Sequence, residues 1–142
     1  MLDQITVFLE NREGRLKALT RTLAEAQVNM MALTISETSD YGLVRIICDN
    51  PEKAVEALNA ADFRVTKTRV SAVSVPNHPG GLVDLLQVLD DLGLNIEYGY
   101  CFSVNGDKAV DVLKITGAAE ASRAAFALEQ AGFKLLSLED LL

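Results

Sequence analysis

The first half of the chain changes its hydrophobic period several times. Ile5, Val7 and Leu9 alternate with their neighbours, which predicts a half-buried strand. Apolar residues then recur at spacings of three, four and three, which is typical of an amphipathic helix: Leu16, Leu19, Leu23 and Ala26. Two strands, MALTISE and GLVRIIC, flank the turn-forming segment TSDYG at residues 38–42. A helix that opens at Pro51 and a last strand complete the order βαββαβ.

The second half repeats the same order. It predicts strand 71–76, helix 79–92, strand 95–103, strand 107–115, helix 118–131 and strand 133–136. A shift of 66 residues aligns apolar and turn positions of the two halves: Val7/Val73, Asn11/Asn77, Gly14/Gly80, Leu16/Leu82, Leu19/Leu85, Leu23/Leu89, Asn29/Asn95 and Val44/Val110. This pattern indicates an internal duplication, with a first copy at residues 1–70 and a second copy at residues 71–142.

The repeated order predicts an α+β fold made of two tandem units. Right-handed crossovers turn βαββαβ into a four-stranded antiparallel sheet with both helices on one face, the ferredoxin-like arrangement. Residues 63–75 read as continuous β-rich chain, so the copies are expected to be joined tightly. Side-by-side sheets would then form one eight-stranded antiparallel sheet with its helices on one face, which also hides two strand edges.

Each copy places the pattern Asn-x-x-Gly-x-Leu between its first strand and its first helix. The first N–H groups of a helix have no partner within the helix, and the helix dipole adds about half a positive charge there. Such a helix start favours an anion such as a carboxylate. Gly14 and Gly80 carry no Cβ, so a ligand can approach the backbone closely. Asn11 and Asn77 can cap the helix or bind a polar ligand.

A second repeated feature is an asparagine at the end of each first helix, in VNM (residues 28–30) and LNI (residues 94–96). Asn29 and Asn95 have two interpretations. Asparagine tolerates left-handed backbone and commonly ends helices, so both can be purely structural. Their repeated pairing with the Asn–Gly loop favours a ligand contact equally well.

These two features resemble the opening of ACT domains, small regulatory modules of amino-acid metabolism. The resemblance rests on LENREGRLKALTRTLAEAQVNM (residues 9–30) and VPNHPGGLVDLLQVLDDLGLNI (residues 75–96) and extends over essentially the whole chain as a tandem pair. The family pattern is Asn-x-Pro-Gly-x-Leu followed by Asn-Ile at the second strand. The second copy matches it closely, whereas the first copy has Glu13 in place of the proline.

The resemblance implies a fold, a function and a set of contacts. ACT units commonly pair side by side and bind a free amino acid where they meet, through the first loop, the helix start and the start of the second strand. Transferred by position, the implied contacts are Asn11, Gly14, Arg15, Leu16, Asn29 and Met30 in the first copy. The implied contacts in the second copy are Asn77, His78, Pro79, Gly80, Gly81, Leu82, Asn95 and Ile96.

The two loops differ in charge. Glu13 is expected in the first helical turn, where it would compete with a ligand carboxylate, although Arg12 and Arg15 could compensate. The second loop, NHPGG, carries no acid. We therefore expect the loop from Asn77 to Leu82 to receive the carboxylate.

Tyr98, Tyr100 and Phe102 alternate along one predicted strand. They are expected to pack against the helices, although a tyrosine at a junction between units could instead line a small pocket.

Composition narrows the classes of partner. Residues 1–70 carry nine Lys/Arg and ten Asp/Glu, whereas residues 71–142 carry four and ten, which gives the net charge of −7. An acidic chain without a basic run is a poor ligand for nucleic acid or an anionic membrane. Cys48 and Cys101 are widely separated, and the start of the chain does not resemble a secretion signal. We therefore expect a cytoplasmic protein with free thiols.

An enzyme is disfavoured because no nucleophile–base pair or nucleotide-binding loop occurs in the sequence. The single histidine, His78, cannot form a metal site alone, so no metal and no cofactor are expected. The expected function is an amino-acid sensor that regulates a metabolic enzyme or transporter in trans, as a homodimer. Two alternatives stay open: a structural interaction module without a ligand, and a small enzyme that acts on an amino-acid-like acid.

Overall fold

The computed structural model describes residues 1–37 and 40–142, and within them the chain forms seven strands and five helices. The strands are β1 (Leu2–Glu10), β2 (Met30–Glu37), β3 (Tyr41–Cys48), β4 (Arg64–Pro76), β5 (Ile96–Asn105), β6 (Lys108–Ile115) and β7 (Lys134–Leu136). The helices are α1 (Arg15–Glu25), α2 (Pro51–Ala60), α3 (Gly81–Asp91), α4 (Ala118–Gln130) and α5 (Leu138–Leu141). The first two residues of the predicted connection at 38–42 lie outside the described residues.

The chain divides into two compact units. The first unit contains residues 3–68, and the second unit contains residues 69–142 together with Met1 and Leu2. In the first unit β3 pairs antiparallel with both β1 and β2. In the second unit the antiparallel order is β5-β6-β4-β7. That order is the ferredoxin-like arrangement expected for a βαββαβ unit, so the predicted α+β class is confirmed.

Each unit has its own core between its helices and one face of its strands. Ile5, Val7 and Leu9 of β1 meet Leu19 and Leu23 of α1, as the two hydrophobic periods predict. Val73, Val75, Leu85 and Leu89 occupy the same places in the second unit. The alignment of Leu19 with Leu85 and of Leu23 with Leu89 therefore corresponds to equivalent core positions.

The strand count differs from the prediction of eight. The last strand of the first copy and the first strand of the second copy form one strand, the thirteen-residue β4. No glycine occurs between Arg64 and Pro76, and the only proline is the last residue, so nothing interrupts the extended backbone. The side-by-side placement of the two sheets stays a prediction.

A β-bulge changes which face the β5 aromatics occupy. Ile96 pairs with Ile115, but Tyr98 pairs with Lys114, so the register slips by one residue at Glu97. Tyr98 and Tyr100 consequently lie on the face opposite the helices, because a one-residue slip exchanges the two faces of a strand. The prediction that they pack against the helices was wrong. Phe102 lies at a second irregularity, between Cys101 and Ser103.

Candidate functional site

The loop between β1 and α1 turns at a left-handed glycine. Gly14 has φ 81° and precedes the first helical residue, Arg15. No side chain caps α1, and the carbonyl oxygen of Gly14 accepts the N–H of Ala18 at 3.0 Å. A positive φ is strained for residues with a Cβ, which explains why glycine is used at this turn. The turn leaves the first N–H groups of α1 without a side-chain acceptor.

The loop between β4 and α3 repeats this geometry. Gly80 has φ 87°, no side chain caps α3, and the N–H of Gly81 donates to the carbonyl oxygen of His78 at 3.0 Å. The predicted contacts His78, Pro79 and Leu82 are exposed, whereas Gly81 is buried. The Nδ1 atom of His78 lies 2.9 Å from the carbonyl oxygen of Pro79. The structure therefore brings these loop residues together at one helix start.

Two hydrogen bonds from Asn77 connect the second loop to the turn between β5 and β6. Its side-chain Nδ2 donates to the carbonyl oxygen of Gly106 at 3.0 Å, and its N–H donates to the carbonyl oxygen of Asp107 at 2.7 Å. In the first loop, the N–H of Asn11 donates to the carbonyl oxygen of Asp40 at 3.5 Å. The second loop is thus held more firmly, and the Asn77 side chain contributes to that support.

The second pair of predicted asparagines lies at the other end of each helix. The Nδ2 atom of Asn95 donates to the Thr116 hydroxyl at 3.1 Å, and the N–H of Asn29 donates to the Asp49 carboxylate at 3.0 Å. Helices α1 and α3 each have 11 residues, or about 16 Å of helix. Within one unit, Asn11 is therefore separated from Asn29, and Asn77 from Asn95, by the length of a helix.

A small cleft opens beside the first loop. Its volume is about 210 Å³, and it brings the predicted contacts Asn11 and Leu16 together with the end of β2, through Ile35 and Glu37. Arg12 and Glu10 also line it and form an ion pair at 2.9 Å. Charged groups of the chain itself therefore occupy its rim.

A shallower groove of about 460 Å³ in the second unit includes Asn95 and Ile96. The rest of its lining comes from Val83, Leu86, Gln87, Leu89, Asp90 and Leu94. Met30 and Ile96, the last of the predicted contacts, pack against the cores of their own units.

The prediction that Glu13 lies in the first turn of α1 was wrong. Because Gly14 is the residue before α1, Glu13 precedes the helix, and the first turn of α1 contains no acid. Helix α3 instead has Asp84 in its first turn. The difference between the loops therefore rests on the residues before each helix, where the first copy has Arg12 and Glu13 and the second has uncharged residues.

The second unit has a carboxyl group at a position that the first unit fills with valine. Val7 pairs with Val44, and its repeat partner Val73 pairs with Asp111, so Asp111 is the structural equivalent of Val44. The alignment of Val44 with Val110 was wrong by one residue. Cys101 lies opposite Asp111, and burial raises the pKa of the Asp111 carboxyl.

We expect replacement of Asp111 with valine to increase the free energy of unfolding at neutral pH. A raised native pKa means that the native state binds the proton more tightly than the unfolded chain, so stability falls as pH rises from the ordinary aspartate pKa through the raised one. The valine variant should lose this part of the pH dependence. Urea unfolding from acidic to neutral pH tests this, and parallel curves for the variant and the wild type would contradict it.

In the described part of the chain, no three His, Cys, Asp or Glu side chains are grouped so that they could hold a metal ion. No helix among these residues has the length and apolar character needed to cross a membrane.

The comparisons with known proteins decide the family. The model of the ACT domain pair matches residues 1–137. This chain belongs to the ACT domain pair family. The resemblance seen in the two loops is confirmed, and the chain is a member of a family of amino-acid-binding regulatory modules.

Three solved structures are similar to this chain. Protein BT0572 from Bacteroides thetaiotaomicron is 36% identical, with a TM-score of 0.91 over 99% of this chain and 94% of that one. The ligand-free regulatory subunit of aspartate kinase from Thermus thermophilus is 20% identical, with a TM-score of 0.66 over 91% of each chain. The corresponding subunit from Thermus flavus is 18% identical, with a TM-score of 0.62 over 92% of each. The two regulatory subunits show only that the fold is similar. No curated protein sequence matches this ACT pair.

Proposed function

We propose that this ACT pair binds a free amino acid and thereby regulates a separate enzyme or transporter of amino-acid metabolism. The observation that carries the proposal is the start of α3, where a left-handed Gly80 leaves the helix without a side-chain cap. An uncapped helix start offers N–H donors and a positive dipole end to a carboxylate. We assign the ligand carboxylate to the loop from Asn77 to Leu82.

Three features favour the second loop over the first. Residues 77–82 carry no acid and no arginine or lysine, so no charge before or at the helix start competes with the ligand, and the first acid of α3 is Asp84, further along its first turn. The hydrogen bonds from Asn77 to Gly106 and Asp107 fix the loop, and a preorganised loop loses less entropy on binding. At the first loop, Arg12 pairs with Glu10 beside the cleft, and Glu13 adds a second acid.

The remainder of the proposed site comes from another unit. Since Asn77 and Asn95 lie at opposite ends of α3, a single unit cannot present both to one amino acid. We propose a homodimer with sheets side by side. In this dimer the start of β5 in one chain approaches the Asn77 loop of the other chain. The free Cys48 and Cys101 agree with the reducing environment of the cytoplasm, where we place this activity.

We expect Asn77→Ala to weaken amino-acid binding at least tenfold and Asn11→Ala to change it less than twofold. The first substitution removes the bond from Nδ2 to Gly106 and frees the loop, whereas no side-chain bond of Asn11 holds the first loop in the described residues. A thermal-shift screen of the twenty amino acids identifies the ligand, and titration calorimetry then compares the variants. Equal losses of affinity in the two variants would contradict the proposal that the second loop, rather than the first, receives the carboxylate.

A further inference from the structure

The first unit contains a second, larger cleft, which shares Leu9 and Glu10 with the smaller one. Its volume is about 420 Å³, within the range of small-molecule sites. The end of β1, the start of α1, the start of β3 and the segment that enters β4 form its walls: Phe8, Leu9, Glu10, Arg15, Tyr41, Asp62, Phe63 and Arg64. Among the predicted contacts, only Arg15 lines it.

Two guanidinium groups line this cleft without an ion pair in the described residues. The guanidinium carbon of Arg15 lies 4.8 Å from the ring centre of Phe63, and that of Arg64 lies 5.1 Å from the ring centre of Phe8. The Nε atom of Arg15 is buried and has no hydrogen-bond partner there. Stacking on aromatic rings fixes the position of each guanidinium but leaves its outer N–H groups available for a carboxylate.

The cleft also presents aromatic surface. The rings of Phe8 and Tyr41 lie 6.3 Å apart with an angle of 51° between their planes. They are 37% and 46% exposed, respectively, so a ligand could cover a substantial part of both. Two acids also line the cleft, Glu10 and Asp62. Glu10 already forms an ion pair with Arg12, so Asp62 is the acid that remains beside Arg15 and Arg64 in the lining.

The second unit serves as an internal control, because its equivalent positions carry a different set of residues. Gly81 replaces Arg15, Ser74 replaces Phe8, and Lys108 replaces Tyr41 at the pair with Pro76. A Cβ atom on Gly81 would overlap the Pro76 carbonyl oxygen, so no side chain fits where Arg15 lies in the first unit. The cleft is therefore specific to the first copy and does not follow from the fold alone.

We infer that this cleft binds an organic acid that carries an aromatic ring. Arg15 and Arg64 hold the carboxylate, and the ring of the ligand lies against Phe8 and Tyr41. Asp62 at the same cleft can accept an ammonium group, so an aromatic amino acid and a simple aryl-substituted acid share the required chemistry. This inference is independent of the loop that receives the regulatory amino acid.

Titration calorimetry on the full chain with four probes tests the inference. The probes are 3-phenylpropionate (ring and acid), L-phenylalanine (ring, acid and amine), phenethylamine (ring and amine) and propionate (acid alone). We expect 3-phenylpropionate to bind at least tenfold more tightly than phenethylamine or propionate. L-Phenylalanine that binds more tightly than 3-phenylpropionate would identify an amino acid as the natural ligand, and weaker binding would identify an acid without an amine.

Variants then locate the site. Arg64→Gln, which changes an exposed residue, should weaken 3-phenylpropionate binding at least tenfold, and so should Arg15→Gln. Lys134 follows Phe133 at the start of β7, as Arg64 follows Phe63 at the start of β4, so Lys134→Gln is the matched control in the second copy and should leave the affinity within twofold. Asn77→Ala, which alters the loop before α3, should also leave it within twofold. Absence of binding at millimolar 3-phenylpropionate, equal binding of propionate, or equal effects of Arg64→Gln and Lys134→Gln would overturn the inference.

Discussion

Replacement of Gly81 with alanine is expected to destabilise the second unit by about 3 kcal/mol or more, at the upper end of the cost of overpacking. The added Cβ would overlap the carbonyl oxygen of Pro76 and lie 3.1 Å from its carbonyl carbon. Both atoms belong to the backbone at the end of β4, so no flexible side chain can move aside. The start of α3 would have to shift away from the strand. Urea denaturation followed by circular dichroism measures the loss.

The first copy offers a matched control for this substitution. Arg15 stands at the equivalent position, and its side chain is accommodated at the cleft beside Phe63. Arg15→Ala should cost about 1–2 kcal/mol, because Arg15 is half-buried and its cation–π contact lies between the exposed and the desolvated case. Equal shifts of the urea midpoint in the two variants would show that α3 does not depend on the absence of a side chain at residue 81.

Replacement of Leu82 with aspartate is expected to weaken amino-acid binding at least tenfold in a protein that stays folded. Leu82 is 45% exposed in the first turn of α3. An acid at this position stabilises the helix by about 0.3–1 kcal/mol through the dipole. The same negative charge repels a ligand carboxylate at the helix start. Calorimetry should therefore show weaker binding by a protein whose urea midpoint is equal to or higher than that of Leu82→Asn, which loses the same leucine side chain without gaining the charge.

Two controls separate charge from shape and one loop from the other. The asparagine of Leu82→Asn has nearly the same shape as the aspartate of Leu82→Asp but no charge, so this variant should retain most of the affinity. Leu16→Asp introduces the same charge at the equivalent, 38% exposed position of α1 and should leave binding within twofold. A full loss with Leu82→Asn, or equal losses with Leu16→Asp and Leu82→Asp, would argue against a carboxylate at the start of α3.

Periodicity predicted the order and type of most elements because each strand and helix buries one face. Ile5, Val7 and Leu9 followed by Leu19 and Leu23 show this directly, and their repeats form the second core. Helix α5 was not predicted, because its four residues are too few to show a period. Its signal is local, a capping box in which Ser137 and Asp140 exchange hydrogen bonds.

Register was less predictable than element order. The bulge at Glu97 and the one-residue difference that makes Asp111 equivalent to Val44 leave no distinctive sequence pattern. Each exchanges the faces of a strand and so changes which side chains meet. The alternation along β5 was real, but it could not reveal the face on which Tyr98 lies.

The two loops were also easier to predict from the sequence than the clefts. Both left-handed turns were predictable because each depends on a local Asn-x-x-Gly segment, which contains Gly14 or Gly80. The aromatic cleft combines Phe8, Tyr41 and Arg64, which are far apart in the chain and meet only in the folded unit. The sequence contains one signal of the cleft. Phe8 lies between the core residues Val7 and Leu9 in β1, so this large apolar side chain falls on the strand face opposite the core.

The most direct measurement is titration calorimetry of the purified chain against each of the twenty amino acids. The account predicts that one amino acid or a small related group binds, and that the ligand at 100 times its dissociation constant stabilises the protein by about 2.7 kcal/mol. The ligand's affinity should fall at least tenfold when its carboxylate is converted to an amide. Absence of heat and of any thermal shift with all twenty at millimolar concentration would contradict the account, as would equal binding of the amide.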